Sequence, residues 1–220
     1  VPAVEVRNKG AHPVYLLGGE MILGGKQDRI IQQDTVVPDD GKWTRVSVFC
    51  VESGRWRGQN MKFKAGKAMA HVALRRAAMS GNQSAVWAEV ARKNVEQGTQ
   101  NSTSTYRRTI QNAKVRARIA RYRRQLAARL PADIKVAGMV FAINGEIRVA
   151  DLLGNPVLFS DLKDKLLSAY ILEALGQQVV RNARPVSKGA ARRFLRDARK
   201  ARKYKLKGAG QSDNYRRESS

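Results

Sequence analysis

YLLGGEMILGGKQDRIIQQDTVVPDDGKWTRVSVFCVESGRW, Tyr15 to Trp56, is the densest run of apolar β-formers in the chain. Three apolar runs, Tyr15–Leu17, Met21–Leu23 and Arg29–Val37, are separated by Gly18-Gly19 and Gly24-Gly25. Paired glycines supply the positive φ of tight connections, so the pattern predicts short strands joined by hairpins. Pro38-Asp39-Asp40-Gly41 reads as a turn, because proline presets φ and glycine takes the left-handed position. From Thr44 to Glu52 the residues alternate, with Val46, Val48 and Cys50 on one face and Arg45, Ser47 and Phe49 on the other.

Working outward, Val4 and Val6 alternate with Glu5 and Arg7 and predict an edge strand. Arg57–Lys67 is glycine-rich and basic and reads as a loop, and Ala68–Met79 as a weak helix. Ser84 is the expected N-cap of a helix with Val86, Trp87 and Val90 in its apolar stripe. Gln97–Thr105 is polar and reads as a linker. A long helix is expected from about Thr105 to Leu130, with Ile119, Tyr122, Leu126 and Leu130 spaced three or four apart and Pro131 ending it. Asn144-Gly145 predicts a hairpin of Val136–Ile143 with Glu146–Leu152. Further helices are expected over Ser160–Leu175 and Ser187 to about Tyr204, followed by a frayed tail. The fold class is α+β: a mainly antiparallel sheet from the N-terminal half plus a C-terminal hairpin, covered by helices, with one long basic helix. Residues 1–195 are expected to form one domain and 196–220 a basic, partly disordered extension.

Composition narrows the function classes. With 43% of residues apolar, the 220-residue chain can bury a core, and no apolar run reaches the length of a membrane span. Cys50 alone cannot form an intrachain disulfide or a cysteine cage, and with only His12 and His71 besides, the residues argue against zinc. No metal or cofactor is expected. The chain opens on Val1, which leaves open both a removed leader and a start further upstream; a cytoplasmic location is expected, with secretion after leader removal as the alternative. Forty-two Lys and Arg against eighteen Asp and Glu give a net charge of +24. Residues 1–100 carry +6 of it and residues 101–220 carry +18. That asymmetry points to a polyanionic partner for the second half.

GGEMILGGKQDR (Gly18–Arg29) followed by CVESGRW (Cys50–Trp56) resembles the signature of the bacterial ADP-ribosylglycohydrolase- and rhodanese/phosphatase-associated protein family. SAVWAEVARK, VADLLGNPVLFSDLKDKLLSAYILEAL and ARRFL resemble its later blocks, in the same order. The family has no established activity, and its name implies a link to NAD or ADP-ribose metabolism by association only. Glu20, Lys26, Gln27, Arg29, Glu52 and Arg55 fall in the first two blocks and form a candidate ligand site. The arginine forks suit phosphate or carboxylate, while Glu20 or Glu52 could hold a ribose hydroxyl or act as a general base. The competing reading is a structural Glu–Arg pair, with Cys50 a small buried residue. Neither histidine has a reason to activate Cys50, and the glycine pairs match no phosphate-binding loop. Met61, Met69 and Met79 read as core or gap fillers.

The basic tracts carry the leading functional reading. Arg107, Arg108, Lys114, Arg116, Arg118, Arg121, Arg123, Arg124 and Arg129 have no acid among them from Asn101 to Ala132. Ordinary solvated helices mix signs, because like charges four residues apart repel. The tail repeats the pattern in Arg192, Arg193, Arg196, Arg199, Lys200, Arg202, Lys203, Lys205 and Lys207, and Tyr106, Tyr122 and Tyr204 interleave as stacking groups. The expectation is a non-enzymatic polyanion-binding protein, with RNA or DNA held sequence-independently. The alternatives are an ADP-ribose- or NAD-related ligand-binding protein or enzyme, and a self-assembling structural subunit with exposed strand edges.

Overall fold

A computed structural model of the chain describes residues 2–55, 62–129, 135–206 and 210–218. Strand β1 (Ala3–Arg7) is followed by β2 (Val14–Leu16), β3 (Glu20–Gly24), β4 (Arg29–Ile31), β5 (Thr35–Val37), β6 (Trp43–Cys50) and β7 (Phe63–Met69). Five of them make an antiparallel sheet of order β1-β6-β4-β3-β7. The alternation read in β6 is what seats it inside the sheet: Val46, Val48 and Cys50 are buried while Arg45 faces solvent. β1 lies at the edge, as its pattern predicts.

Two strand expectations need correction. The run Arg29–Val37 is not one strand: polar Gln32-Gln33-Asp34 bends it, and β5 leaves the sheet to pair with β2. The Tyr15–Leu17 run therefore meets β5 rather than forming a hairpin with β3. Of the expected loop Arg57–Lys67, residues 63–67 belong to β7, paired with β3. Gly66 signals close approach here rather than a loop, because a Cβ at that position would stand 2.7 Å from the Met21 carbonyl oxygen. Residues 57–61, with the Met61 reading, lie outside the described residues.

The helices are α1 (Val72–Met79), α2 (Gln83–Glu96), α3 (Arg107–Gln111), α4 (Ala113–Ala127), α5 (Pro156–Ala174) and α6 (Lys188–Lys200). The N-cap of α2 is Asn82, not Ser84: its side chain accepts from the amides of Ser84 and Ala85. The single long basic helix is broken at Asn112, whose extended backbone (ψ 127°) ends α3 while its side chain caps α4. Leu130 and Pro131 lie outside the described residues. Helix α5 begins four residues before Ser160, because Asn155 caps it and Pro156 suits its first turn. Ser187 does cap α6, but the helix ends at Lys200. Strand β10 (Arg202–Leu206), which includes Tyr204, then pairs with β11 (Asn214–Glu218). The tail expected to fray is tied to β5: the Gln211 amide donates to Val36, and the Asn214 amide side chain donates to the Asp34 carbonyl.

Strands β8 (Gly138–Ile143) and β9 (Glu146–Leu152) form the expected hairpin around Asn144-Gly145, as a separate two-stranded sheet instead of an extension of the main one. It packs on α5, with Phe141 stacked on Tyr170 at 5.1 Å between ring centroids. Helix α5 buries Phe159, Leu162, Leu166, Leu167, Tyr170 and Leu172, so more than one of its faces is inside. One core cluster joins α5 and the hairpin to Leu17, Met69 and Val72 of the N-terminal half; a second packs α1, α2 and α4 on Met21, Ile30 and Val51. A third, around Ile31, Val46 and Val48, lies under β1.

Candidate functional site

The two matched blocks meet at the end of the sheet where the β3–β4 turn approaches the end of β6. The Gln27 side-chain amide donates to the Glu52 carbonyl at 2.9 Å, the Asp28 amide donates to Glu52 Oε2 at 2.8 Å, and Arg29 donates to Gln27 Oε1 at 3.2 Å. Arg55 grips the Glu52 carboxylate with Nε and Nη2, the shorter contact 2.6 Å. Burial opposes ionisation of Glu52, but the Arg55 fork and the Asp28 amide hold its carboxyl below the usual range. Asp28 is fully buried, accepts from the Gly24 amide at 2.9 Å, and takes a two-pronged ion pair from Arg107 of α3. Gln27, Arg29, Glu52 and Arg55 thus do come together. Glu20 does not join them, since it pairs with Lys165 of α5 at 2.6 Å and accepts from the Leu17 amide; Lys26 is exposed. The cluster spends its donors and acceptors on itself and on α3, which makes it a brace between sheet and helix.

Sequence reasoning missed Asp28 because an aspartate after glycines reads as a turn residue. Arg107, grouped with the polyanion-binding side chains, is half-buried and committed to Asp28. Cys50 is buried, and Gln83 brackets its backbone by accepting from its amide and donating to its carbonyl, both at 2.8 Å. Among the described residues no histidine bonds to it.

His71 has a different role. Its Nε2 meets Glu89 Oε1 at 2.6 Å and its Nδ1 meets the Tyr106 hydroxyl at 2.9 Å. Arg92 forks onto the same Glu89. The Glu89 carboxylate accepts from Nε2–H, so Nδ1 is the acceptor for the phenol. Burial holds the imidazole below 6.5, hence neutral near pH 7. For Glu89, burial acts against ionisation, but the bonds from His71 and Arg92 bring it down to about 2. A carboxylate–imidazole–phenol chain has the composition of a general-base relay. Both His71 and Tyr106 are fully buried, however, so no substrate reaches them and the chain locks α1 to α2 and α3. The same burial removes Tyr106 from the stacking residues; Tyr122 and Tyr204 are exposed.

A cleft of about 410 Å³ opens between the β4–β5 bend, α1, β9 and α6. Its floor is the Arg75–Asp151 pair, two parallel bonds of 2.7 Å, with the Tyr170 hydroxyl also donating to Asp151. Arg75 Nε donates to the Gly18 carbonyl at 3.1 Å. The Arg75 stem crosses Gly19, where φ is +99° and a Cβ would stand 2.5 Å from Arg75 Cγ. Burial opposes ionisation of Asp151, but the Arg75 fork keeps its carboxyl below the usual range. Met79, Leu152 and Phe194 stand exposed along the lining.

Helix α4 packs Val115 and Ile119 inward. Lys114, Arg116, Arg118, Arg121, Arg123, Arg124 and Arg129 are exposed, as is Arg108 of α3. Arg118 donates to the Leu175 carbonyl at 3.1 Å, and Arg121 lies over the Tyr122 ring at 5.2 Å. On α6, Arg192, Arg193, Arg196, Arg199 and Lys200 are exposed; Arg196 pairs with Asp197, and Lys203 of β10 is exposed too. Among the described residues no helix is long and apolar enough to cross a membrane, and no three His, Cys, Asp or Glu side chains gather as metal ligands would.

A family model, the ARG and Rhodanese-Phosphatase-superfamily-associated Protein domain, matches residues 1–220. The chain belongs to this family. No curated protein and no solved structure shows a significant match. The family's name records association alone. The blocks that carry the sequence resemblance supply both buried networks: Gly18–Arg29 and Cys50–Trp56 meet in the Asp28–Glu52 brace, and Ser84–Lys93 brings Glu89 to His71. Val149–Leu175 supplies Asp151 to the cleft with the buried Tyr170 bonded to it, and Ala191–Leu195 supplies Phe194 to the lining.

Proposed function

We propose that this family member binds a polyanion, RNA or DNA, through its phosphates and without sequence preference. The carrying observation is the solvent face of α4. Lys114, Arg116, Arg121, Arg123, Arg124 and Arg129 are all exposed, and among the described residues none of them makes an ion pair with an acid. Closely spaced like charges without acids disfavour the isolated helix, and a row of phosphates relieves that repulsion. Each neutralised phosphate releases a condensed cation, which favours binding most at low salt. Arginine forks match phosphate geometry, and Tyr122 beside Arg121 offers an exposed ring on which an unpaired base can stack. Arg192, Arg193 and Lys200 of α6 are exposed as well and offer a second basic face.

The alternative ligand site in the matched blocks is less favoured, because the Arg55 and Glu52 groups it needs are already bonded to each other. The test is a salt titration with fluorescent duplex DNA of two unrelated sequences. Engagement of six or more cations predicts a log K against log salt slope of roughly −5 or steeper. Replacing Arg116, Arg121, Arg123 and Arg124 by glutamine should weaken binding to both duplexes alike and flatten the slope, while glutamine preserves the helix. A salt-independent affinity, or unchanged affinity in the quadruple variant, overturns the reading.

A further inference from the structure

We propose that the cleft over the Arg75–Asp151 pair binds a small organic anion, one phosphate group carried on a flat apolar body, at a site separate from the α4 surface. Three observations converge on it. First, Arg76 Nη2 donates to the Arg148 carbonyl, which places one guanidinium against the backbone of the other arginine on the same wall. Arg76 and Arg148 both line this concavity, and with the Asp151 carboxylate taken up by Arg75 their charges favour an anion there. The acid paired with Arg148 is Glu146, 70% exposed, so solvent weakens its hold. Second, Arg148 Nε is buried without a hydrogen-bond partner, the only such side-chain nitrogen or oxygen among the described residues. Arginine presents Nε and Nη2 as a fork; here Nη2 holds the exposed Glu146 carboxylate at 2.8 Å, and an oxyanion that displaces that carboxylate would satisfy the orphaned Nε as well.

Third, the lining near these cations carries three large apolar side chains that the fold leaves uncovered: Met79, Leu152 and Phe194, exposed by 50%, 61% and 38%. Phe194 comes from α6, a helix with no buried residue of its own, so the core gives no reason for an aromatic there. A methionine and a phenyl ring suit a planar ligand body, since sulfur and ring faces both pack well on aromatics. The floor is rigid, because Arg75, Asp151 and Tyr170 already satisfy one another. Recognition is therefore left to Arg76, Arg148 and the apolar lining, because the Asp34 carboxylate at the cleft already accepts from the Gly18 amide at 2.8 Å.

Calorimetric titration with inorganic phosphate, phenyl phosphate, adenosine monophosphate and adenosine tests the site. Both organic phosphates should bind more tightly than inorganic phosphate, and adenosine should not bind. Arg148→Gln and Arg76→Gln should each weaken the organic phosphates by about ten-fold or more, the loss of one charge-assisted hydrogen bond. Phe194→Ala should weaken them while leaving inorganic phosphate unchanged. These three positions are exposed or half-exposed, so melting temperatures should match wild type and exclude unfolding as the cause. The α4 quadruple glutamine variant should bind adenosine monophosphate as wild type does, which separates this site from the polyanion surface. Absence of organic-phosphate binding at millimolar concentration, equal binding of adenosine, or wild-type affinity in both arginine variants overturns the proposal.

Discussion

Replacing Asp151 by alanine should cost this fold about 3–5 kcal/mol, far more than an ordinary surface ion pair is worth. The distinction rests on burial: the Arg75 and Asp151 side chains are each 12% exposed, and their two bonds are both 2.7 Å. Removing the carboxylate strands a guanidinium that keeps one other bond, from Nε to the Gly18 carbonyl, and takes the acceptor from Tyr170. Against a total stability of about 5–15 kcal/mol the loss is large. With a urea m-value of about 2–3 kcal/mol/M, the unfolding midpoint should fall by roughly 1–2 M. Adding Arg75→Met should restore more than half of the loss, since the stranded charge goes with it. The Tyr170 hydroxyl, still without its acceptor, accounts for the remainder, about 1–2 kcal/mol. Urea unfolding of wild type, both singles and the double completes the cycle. A single-variant loss under about 1 kcal/mol, or a double variant as unstable as the two singles added, would refute the argument.

Gly19→Ala should cost about 1–3 kcal/mol in the same assay, because φ of +99° strains any Cβ and the Arg75 stem occupies its space. Leu166→Ala, at a fully buried position of α5, should cost about 2–5 kcal/mol, read as a lowered melting temperature. Acid should weaken the fold in two steps. His71 is held below 6.5 in the fold, so the unfolded chain takes up its proton first, and stability present above pH 6.5 drains as the pH falls below it. His71→Gln should abolish that step; an unchanged stability–pH curve between pH 6.5 and 5 in the variant would show that the imidazole is not its source. The second step follows Glu89, whose carboxyl is held at about 2, below its ordinary 4.5: its contribution is intact above pH 4.5 and lost toward pH 2. Thermal melts across that range in wild type and Glu89→Gln would show whether the step belongs to it.

How much of this was legible in the chain follows from the range of each interaction. Period-two alternation specified β6 and the edge strand β1, and Asn144-Gly145 specified the β8–β9 hairpin, because both signals lie within a few residues. The exposed cations of α4 were equally legible, since charge without neighbouring acids cannot be hidden in a core. Local rules failed where a residue had two local readings. Gly66 could mark a loop or close strand contact, Asn112 could ride within a helix or cap a new one, and Arg29–Val37 could run straight or bend. The sites were less visible still. Arg75 and Asp151 are 76 residues apart, Asp28 and Arg107 are 79, and His71 and Glu89 are 18. Each polar residue by itself is compatible with solvent. Only chain packing excludes the water and brings each buried charge its partners, so tertiary structure alone decided that Arg107, from the same basic tract as the exposed Arg116, pairs with Asp28.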